Sequence, residues 1–347
     1  MSKYNSLGTI AGGHVTPSGF GIQALASAPV RVTDSQVASG NSFLISELEK
    51  RDPLVREPLT SFTYPRDIPV RVGGGWVESA SALNLVFGVT GGSADGLVGA
   101  SGANSVPVIQ SNLNKDKFAA HVFQIVMRIP FIDMQRQAIT GRSLEQMLTD
   151  GIRLAYDKHM DANVYVGMTK YNTTGLLNNP NVTATPVATG VSGSTRFLQK
   201  TEREILADVN AAIMAGWEAS EYDLAAIPNH VLMPYEQLNY IATTPSSDLM
   251  VGSILDFLLK NNVATANGAT LVIAATAYCK GAGAGGTDRM CAYRHDEKFM
   301  CMEEFVPMSR MMTTPNVDKF SYDSIYAANL SETQLYYLQP IGYFDGI

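Results

Sequence analysis

Apolar positions change their period along the chain, and each change predicts a different element. From Tyr64 to Ile132 the period is two. Ile68, Val70 and Val72 alternate with Pro69 and Arg71, and Leu83, Leu85, Phe87 and Val89 alternate likewise. Phe123, Ile125, Met127 and Ile129 take one face of a last strand, with Gln124 and Arg128 opposite. Two glycine-rich breaks interrupt this region, Gly73-Gly74-Gly75 and Gly88 to Gly102. The second is too long for a structureless loop inside a compact domain. It reads instead as the end of a two-stranded ribbon that projects from the body. A lone hairpin is marginal in water, so Trp76, Phe87, Val108 and Ile109 are expected to need a partner surface. They are the candidate subunit-interface residues.

From Ser143 the period lengthens. Leu144, Met147, Leu148, Ile152, Ala155 and Ala162 recur at three- and four-residue steps, the spacing of one helical face. Ser143 followed by Gln146 is a capping-box start, and Arg153 and Asp157 can pair across one turn. A helix reaching Val166 spans roughly 36 Å at 1.5 Å per residue. The chain cannot stay helical through Gly167, Asn172 and Pro180, so a sharp turn is predicted over Gly175-Leu176-Leu177-Asn178-Asn179-Pro180. Thr201 and Glu204 open a second capped helix with Ile205, Leu206, Val209, Ala212 and Ile213 inward and Gly216 as its C-terminal cap.

Beyond Tyr222 the pattern is mixed. It predicts a buried strand at His230–Met233, a helix from Pro234 to Tyr240, a helix over Ser253–Leu259 and an apolar strand at Leu271–Ala277. Two further strands are expected on either side of a charged hairpin turn, Arg294 to Lys298, and an aromatic strand over Gln334–Tyr343. Strand–helix alternation followed by strands points to a compact α+β second domain. Residues 1 to about 40 are rich in Gly, Ser, Ala and Thr and cannot bury enough apolar area to order alone. With one short helical stretch at Ser42–Lys50, they are expected to form an arm that orders against a neighbouring subunit.

Composition narrows the function. The chain has 347 residues, and its 25 basic against 32 acidic residues leave a net charge of -7. That balance argues against a sequence-blind DNA binder, which needs a basic face, but not against a container for DNA. Charged residues make up only 16%, below the usual quarter or so, as expected for a surface largely covered by protein. No run approaches the length of a membrane span.

Candidate chemistry is sparse. Gly281, Gly283 and Gly286 satisfy GxGxxG after an apolar strand, but no apolar helical stripe follows, so a flexible connection is expected instead of a dinucleotide site. Cys279, Cys291, His295 and Cys301 are spaced by twelve, four and six residues and lack the tight pairs of a structural zinc site. Cys301, alternating with Phe299 and Phe305, reads as a small buried hydrophobe, and His295-Asp296-Glu297 as a solvated turn. No nucleophile, zincin or P-loop motif is present. No catalytic residue, metal or cofactor is expected.

A polar arm, a projecting ribbon, a long helix ending in Gly175-Leu176-Leu177-Asn178-Asn179-Pro180 and a compact α+β domain follow one another in order. That succession resembles the major capsid proteins of tailed double-stranded DNA bacteriophages, whose fold is shared with encapsulins. The resemblance covers nearly the whole chain from about Asn41. It implies an α+β fold with an N-terminal arm at 1–66, an extended two-stranded loop at 67–118 and a peripheral domain at 119–220. That domain holds the spine helix and a returning strand within 334–347, and an axial domain takes 221–333. It further implies self-assembly into hexamers and pentamers of an icosahedral shell around a double-stranded DNA genome, without sequence-specific contacts. A portal protein, and a separate scaffolding or decoration protein, would be the other partners. Met1 opens the chain without a long charged helical segment, so a scaffold is expected to be a separate protein or absent. Some family members crosslink subunits through a lysine and an asparagine. Lys115 and Lys117 lie near the ribbon base, and no crosslink is expected. An encapsulin-like compartment and, from another class, a nucleotide-dependent enzyme using the Gly281 loop are the alternatives.

Overall fold

The computed structural model describes residues 62–90, 108–140, 143–245 and 252–347. Of the arm expected at 1–66, residues 1–61, including Ser42–Lys50, lie outside the described residues, as do 91–107, where the end of the ribbon is expected.

Alternating apolar residues build a first five-stranded sheet in the order β1-β8-β9-β3-β2. Its strands are β1 (Val70–Val72), β2 (Ser79–Thr90), β3 (Val108–Pro130), β8 (Met300–Asn316) and β9 (Ser321–Leu335). β3 is long enough to serve two purposes. Its second half, Ala120–Pro130, pairs antiparallel with β9 inside the body. Its first half, Val108–Ala119, pairs only with β2 and leaves the body as the ribbon. β8 is kinked against β9 by register shifts, the last between Arg310 and Met312, and carries Pro307 and Pro315, which cannot donate to a ladder.

α2 (Phe131–Thr140), which the apolar spacing did not suggest, leads from β3 to the long helix α3 (Leu144–Val166). Ser143 Oγ accepts the Gln146 amide at 3.2 Å, as its capping pattern predicted. The buried stripe runs Ile152, Tyr156, Met160, Val164, at steps of four. It is rotated from the one expected: Met147 and Ala155 face solvent. The reason is chemical. Tyr156 and Tyr165 are buried because their hydroxyls find Glu304 and Asp67, and a count of aliphatic residues passes over them. Arg153 and Asp157 do not close an ion pair, although Arg153 acts on the Asp157 carboxyl through space. α3 lies across the odd-numbered face of β3, where Met127 and Ile129 join Ile152 and Tyr326 in one apolar cluster.

A second five-stranded sheet has the order β4-β10-β7-β5-β6. It comprises β4 (Ala184–Pro186), β5 (His230–Met233), β6 (Val272–Ala275), β7 (Arg289–Tyr293) and β10 (Gly342–Asp345). The helices α4 (Glu202–Ala219), α5 (Tyr235–Thr243), α6 (Ile254–Lys260) and α7 (Val263–Ala266) accompany it. α4 starts where expected, the Glu204 carboxylate accepting the Thr201 amide at 2.9 Å. Its apolar side, Ile205, Val209, Ala212 and Ile213, joins Val231 and Ala292 of the second sheet in one core. A further core is shared by α3, both sheets and the turn at Leu176-Leu177. α1 (Tyr64–Asp67) sits at its edge.

Three expectations are corrected. Gly216 does not end α4: the helix continues to Ala219 and Ser220 caps it. Gly216 is instead where Pro228 and Pro340 press on the helix, a Cβ there lying 2.7 Å from Pro228 Cγ. Arg294–Lys298 is not a hairpin turn. β7 pairs with β10 and β5, whereas β8 pairs with β1 and β9, so this charged stretch carries the chain between sheets. Gln334–Tyr343 is not one strand: β9 ends at Leu335 and the chain turns at Gln339–Pro340 before entering β10. β10 then joins the second sheet, and α4 packs on β7 and β10, so the sheets do not divide the chain at 220/221.

Candidate assembly interface

Register decides what the ribbon can do. Side chains alternate across a strand, and β2 pairs β3 without a slip from Ser79↔Ala119 to Thr90↔Val108. Leu83, Leu85 and Phe87 therefore share one face with Ile109, Ser111, Leu113 and Lys115. The other face carries Ala82, Asn84, Val86, Gln110, Asn112, Asn114 and Asp116, with Asn84 donating to the Asp116 carboxylate. One face is apolar and the other is mostly amide. The apolar face is nonetheless in solvent, with Phe87 64%, Ile109 69% and Leu113 62% exposed. It continues the odd-numbered face of β3, which lower down packs on α3. Side chains of this size, each worth about 1.5–3 kcal/mol when fully buried, form an apolar patch of the kind that marks an interaction site.

The four residues singled out from sequence do not form one cluster. Phe87 and Ile109 share the apolar face, and Val108 occupies the amide face opposite Thr90. Trp76 stands outside the ribbon, in the link from β1 to β2, and is 56% exposed. Leu83, Leu85 and Leu113 complete the apolar face. The alternation of β2 already marked the first two, but Leu113 sits among Asn112, Asn114 and Lys115 and stands out only once the register is known.

The ribbon root is held by backbone. Gly73 and Gly75 donate to the carbonyls of Glu304 and Phe305 at 3.0 and 3.1 Å, continuing the β1–β8 ladder without side chains. Gly74, at φ +121°, leaves the space that the Phe305 ring fills, its missing Cβ falling 2.9 Å from Cδ1. Asn329 of β9 donates to Gly75 O and Val77 O at 3.2 and 2.9 Å, fixing the carbonyls of the two residues that flank Trp76. The glycine run expected as a break is thus a splint along β8.

The turn after α3 is a C-terminal cap. Helix ends leave carbonyls without partners, and here Leu176 N, Leu177 N and Asn178 Nδ2 donate to the carbonyls of Val164, Tyr165 and Val166 at 2.8, 3.0 and 2.7 Å. Gly175 crosses the helix end so closely that a Cβ would lie 2.4 Å from Tyr165 C. At the same helix end the buried Asp67 of α1 accepts from Tyr165 Oη, from Arg66 Nε at 2.6 Å and from His230, with a 3.2 Å contact to its Nε2. Burial pushes the Asp67 carboxyl up, but these hydrogen bonds outweigh it and hold the group below the ordinary carboxylate range. α3, α1 and the second sheet meet at this one carboxylate.

The residues considered for chemistry serve the fold. Gly281, Gly285 and Gly286 take positive φ, and only a short 3-10 turn at Ala284–Gly286, not an α-helix, precedes β7. The Gly281 and Ala284 amides are taken by the Asp288 and Asp345 carboxylates at 3.0 and 2.9 Å, where a phosphate would meet like charge. Cys279, Cys291 and Cys301 are buried and unbridged, and burial pushes the Cys291 thiol up. His295 stacks on His230 at 5.3 Å. Among the described residues, no three metal-ligating side chains converge and no helix is long and apolar enough to cross a membrane.

The ribbon thus has one apolar face in solvent and is rooted in a body with a sizeable core of its own. The chain belongs to the major capsid protein family, whose model matches residues 92–347. It is a major capsid protein, a structural subunit of phage-type icosahedral shells built from copies of itself. No curated protein matches the sequence. Among solved structures, the capsid of Myoviridae phage XM1 shares the fold with a TM-score of 0.73 at 16% identity, covering 87% of this chain and 98% of that one. A chain from Microbacterium phage Oxtober96 gives 0.57 at 10% identity, over 88% and 97% of the two chains. The capsid of an empty GTA particle gives 0.52 at 14% identity, over 90% and 99%.

Proposed function

We propose that the chain assembles in the host cytoplasm into hexamers and pentamers of a shell that encloses a double-stranded DNA genome. In this reading the arm is 1–66 and the extended loop lies within 67–118. The peripheral and axial halves follow the two sheets, so β8 and β9 go with the peripheral half and α4 and β10 with the axial one. The apolar ribbon face carries the reading. It has no partner surface within the described residues of its own chain, and a neighbouring copy supplies one in every position of a closed, symmetric assembly. Weak contacts of this kind become strong when each subunit is held by many neighbours. The acidic balance suits an inner wall that confines DNA without gripping it. A portal protein at one vertex, and a separate scaffolding or decoration protein, would complete the particle, and no covalent crosslink through Lys115 or Lys117 is expected.

Electron microscopy and nuclease-resistant nucleic acid content of particles purified from infected cells test the reading. Closed shells holding double-stranded DNA are expected. Shells filled with a cargo protein instead would favour an encapsulin-like compartment.

A further inference from the structure

The cap of α3 is itself read by the second sheet. Leu176 O accepts from Tyr343 Oη at 2.6 Å, and the same hydroxyl accepts the Asn179 amide at 3.1 Å. Leu177 O accepts from Arg289 Nη1 at 2.6 Å. The other two arms of that guanidinium, Nε and Nη2, grip the Asp345 carboxylate at 2.7 and 2.9 Å, and its carbon lies 4.4 Å from the Tyr343 ring centroid. Arg289 and Asp345 are cross-strand partners on β7 and β10, and all three side chains are buried. An unbroken chain of directional bonds therefore runs from the last carbonyls of α3, through Leu176 and Leu177, into the second sheet.

We propose that Arg289 and Tyr343 are positioning residues for shell closure. By fixing the second sheet against the end of α3 they set the angle between the two sheets of the subunit, and so the curvature of the shell. Apolar packing at this junction is non-directional and tolerates sliding. A planar fork with its donors committed to two separate groups does not. Stability alone gives little reason for the ion pair, because a buried pair replaced by uncharged groups of similar volume is often no less stable. A closed shell, in contrast, repeats one subunit geometry at every position, so a small angular error accumulates. The inference rests on the shell reading above.

The test compares wild type, R289M/D345N and Y343F by thermal unfolding of the dissociated subunit and by particle diameter in electron micrographs. The carboxamide introduced by Asp345→Asn keeps an acceptor for the Ala284 amide, which Asp345 Oδ2 receives at 2.9 Å. Wild type is expected to give one diameter. The double variant should unfold within a few degrees of wild type yet lose that single diameter, giving mixed sizes or open sheets, with Y343F broadened less. Variants of wild-type stability that still close at the wild-type diameter would overturn the proposal. If the double variant yields no folded subunit, Y343F, which loses one hydroxyl only, carries the same criterion. Wild-type protein that forms no shell would count against the shell reading itself, which separates the two failures.

Discussion

At Gly175 the chain has little choice, because its neighbour is the backbone of Tyr165 and not a side chain that can swing away. Gly175→Ala is expected to destabilise the dissociated subunit by about 3 kcal/mol, the scale of forced overpacking; a urea midpoint equal to wild type would show that the turn can lift off the helix. Asp67 makes the matching electrostatic prediction. Its folded pKa is depressed, so it contributes stability above the ordinary carboxylate value of about 4, and that contribution is lost as pH falls through the folded value. Asp67→Asn should therefore lower stability at pH 7 and flatten the fall on the acid side. Asp161, whose carboxyl burial pushes up, works in the opposite sense, so the comparison is variant against wild type across the pH series. An unchanged acid limb in the variant would mean that Asp67 does not report on folding. Neither role was legible beforehand: Gly175 read as a turn former, and Asp67 gains two of its partners, Tyr165 and His230, from 98 and 163 positions away.

Elements were more legible than their partners. The starts of α3 and α4 and the buried β5 follow from capping residues and period, which are local signals. Pairing is not local. β7 and β8 are neighbours in sequence, yet they belong to different sheets, and nothing in Arg294–Lys298 distinguishes a hairpin from a crossing. The ribbon was legible as two strands, but its apolar face waited on the register that sets Leu113 beside Leu85. That face makes the prediction at this scale. Leu85→Asn with Phe87→Asn should leave the dissociated subunit within about 0.5 kcal/mol of wild type, as for exposed positions, while sedimentation shows assembly lost or strongly weakened. A large drop in subunit stability with assembly intact would place these side chains in the subunit's own core. Trp76→Ala is expected to behave likewise and more mildly, since Asn329 holds the carbonyls of both flanking residues whatever the side chain at 76.

At the scale of the molecule, the succession of arm, ribbon, long helix and mixed domain was enough to point to the family, and the match over 92–347 bears that out. How the chain divides between the two sheets was not readable in the same way. It depends on β9 and β10, which return from the C-terminal region to the first and second sheet respectively. Both sheets contribute to buried cores, whereas the ribbon has a face and no core. That neighbouring copies supply the ribbon's stability is the proposal on which the account turns. Hydrogen–deuterium exchange of the amides in 79–90 and 108–119, in assembled shells and in subunits dissociated from them, measures it directly. Ribbon amides should exchange fast in the free subunit and become protected in the shell, while α3 is protected in both. Equal protection of the ribbon in the two states would contradict the account.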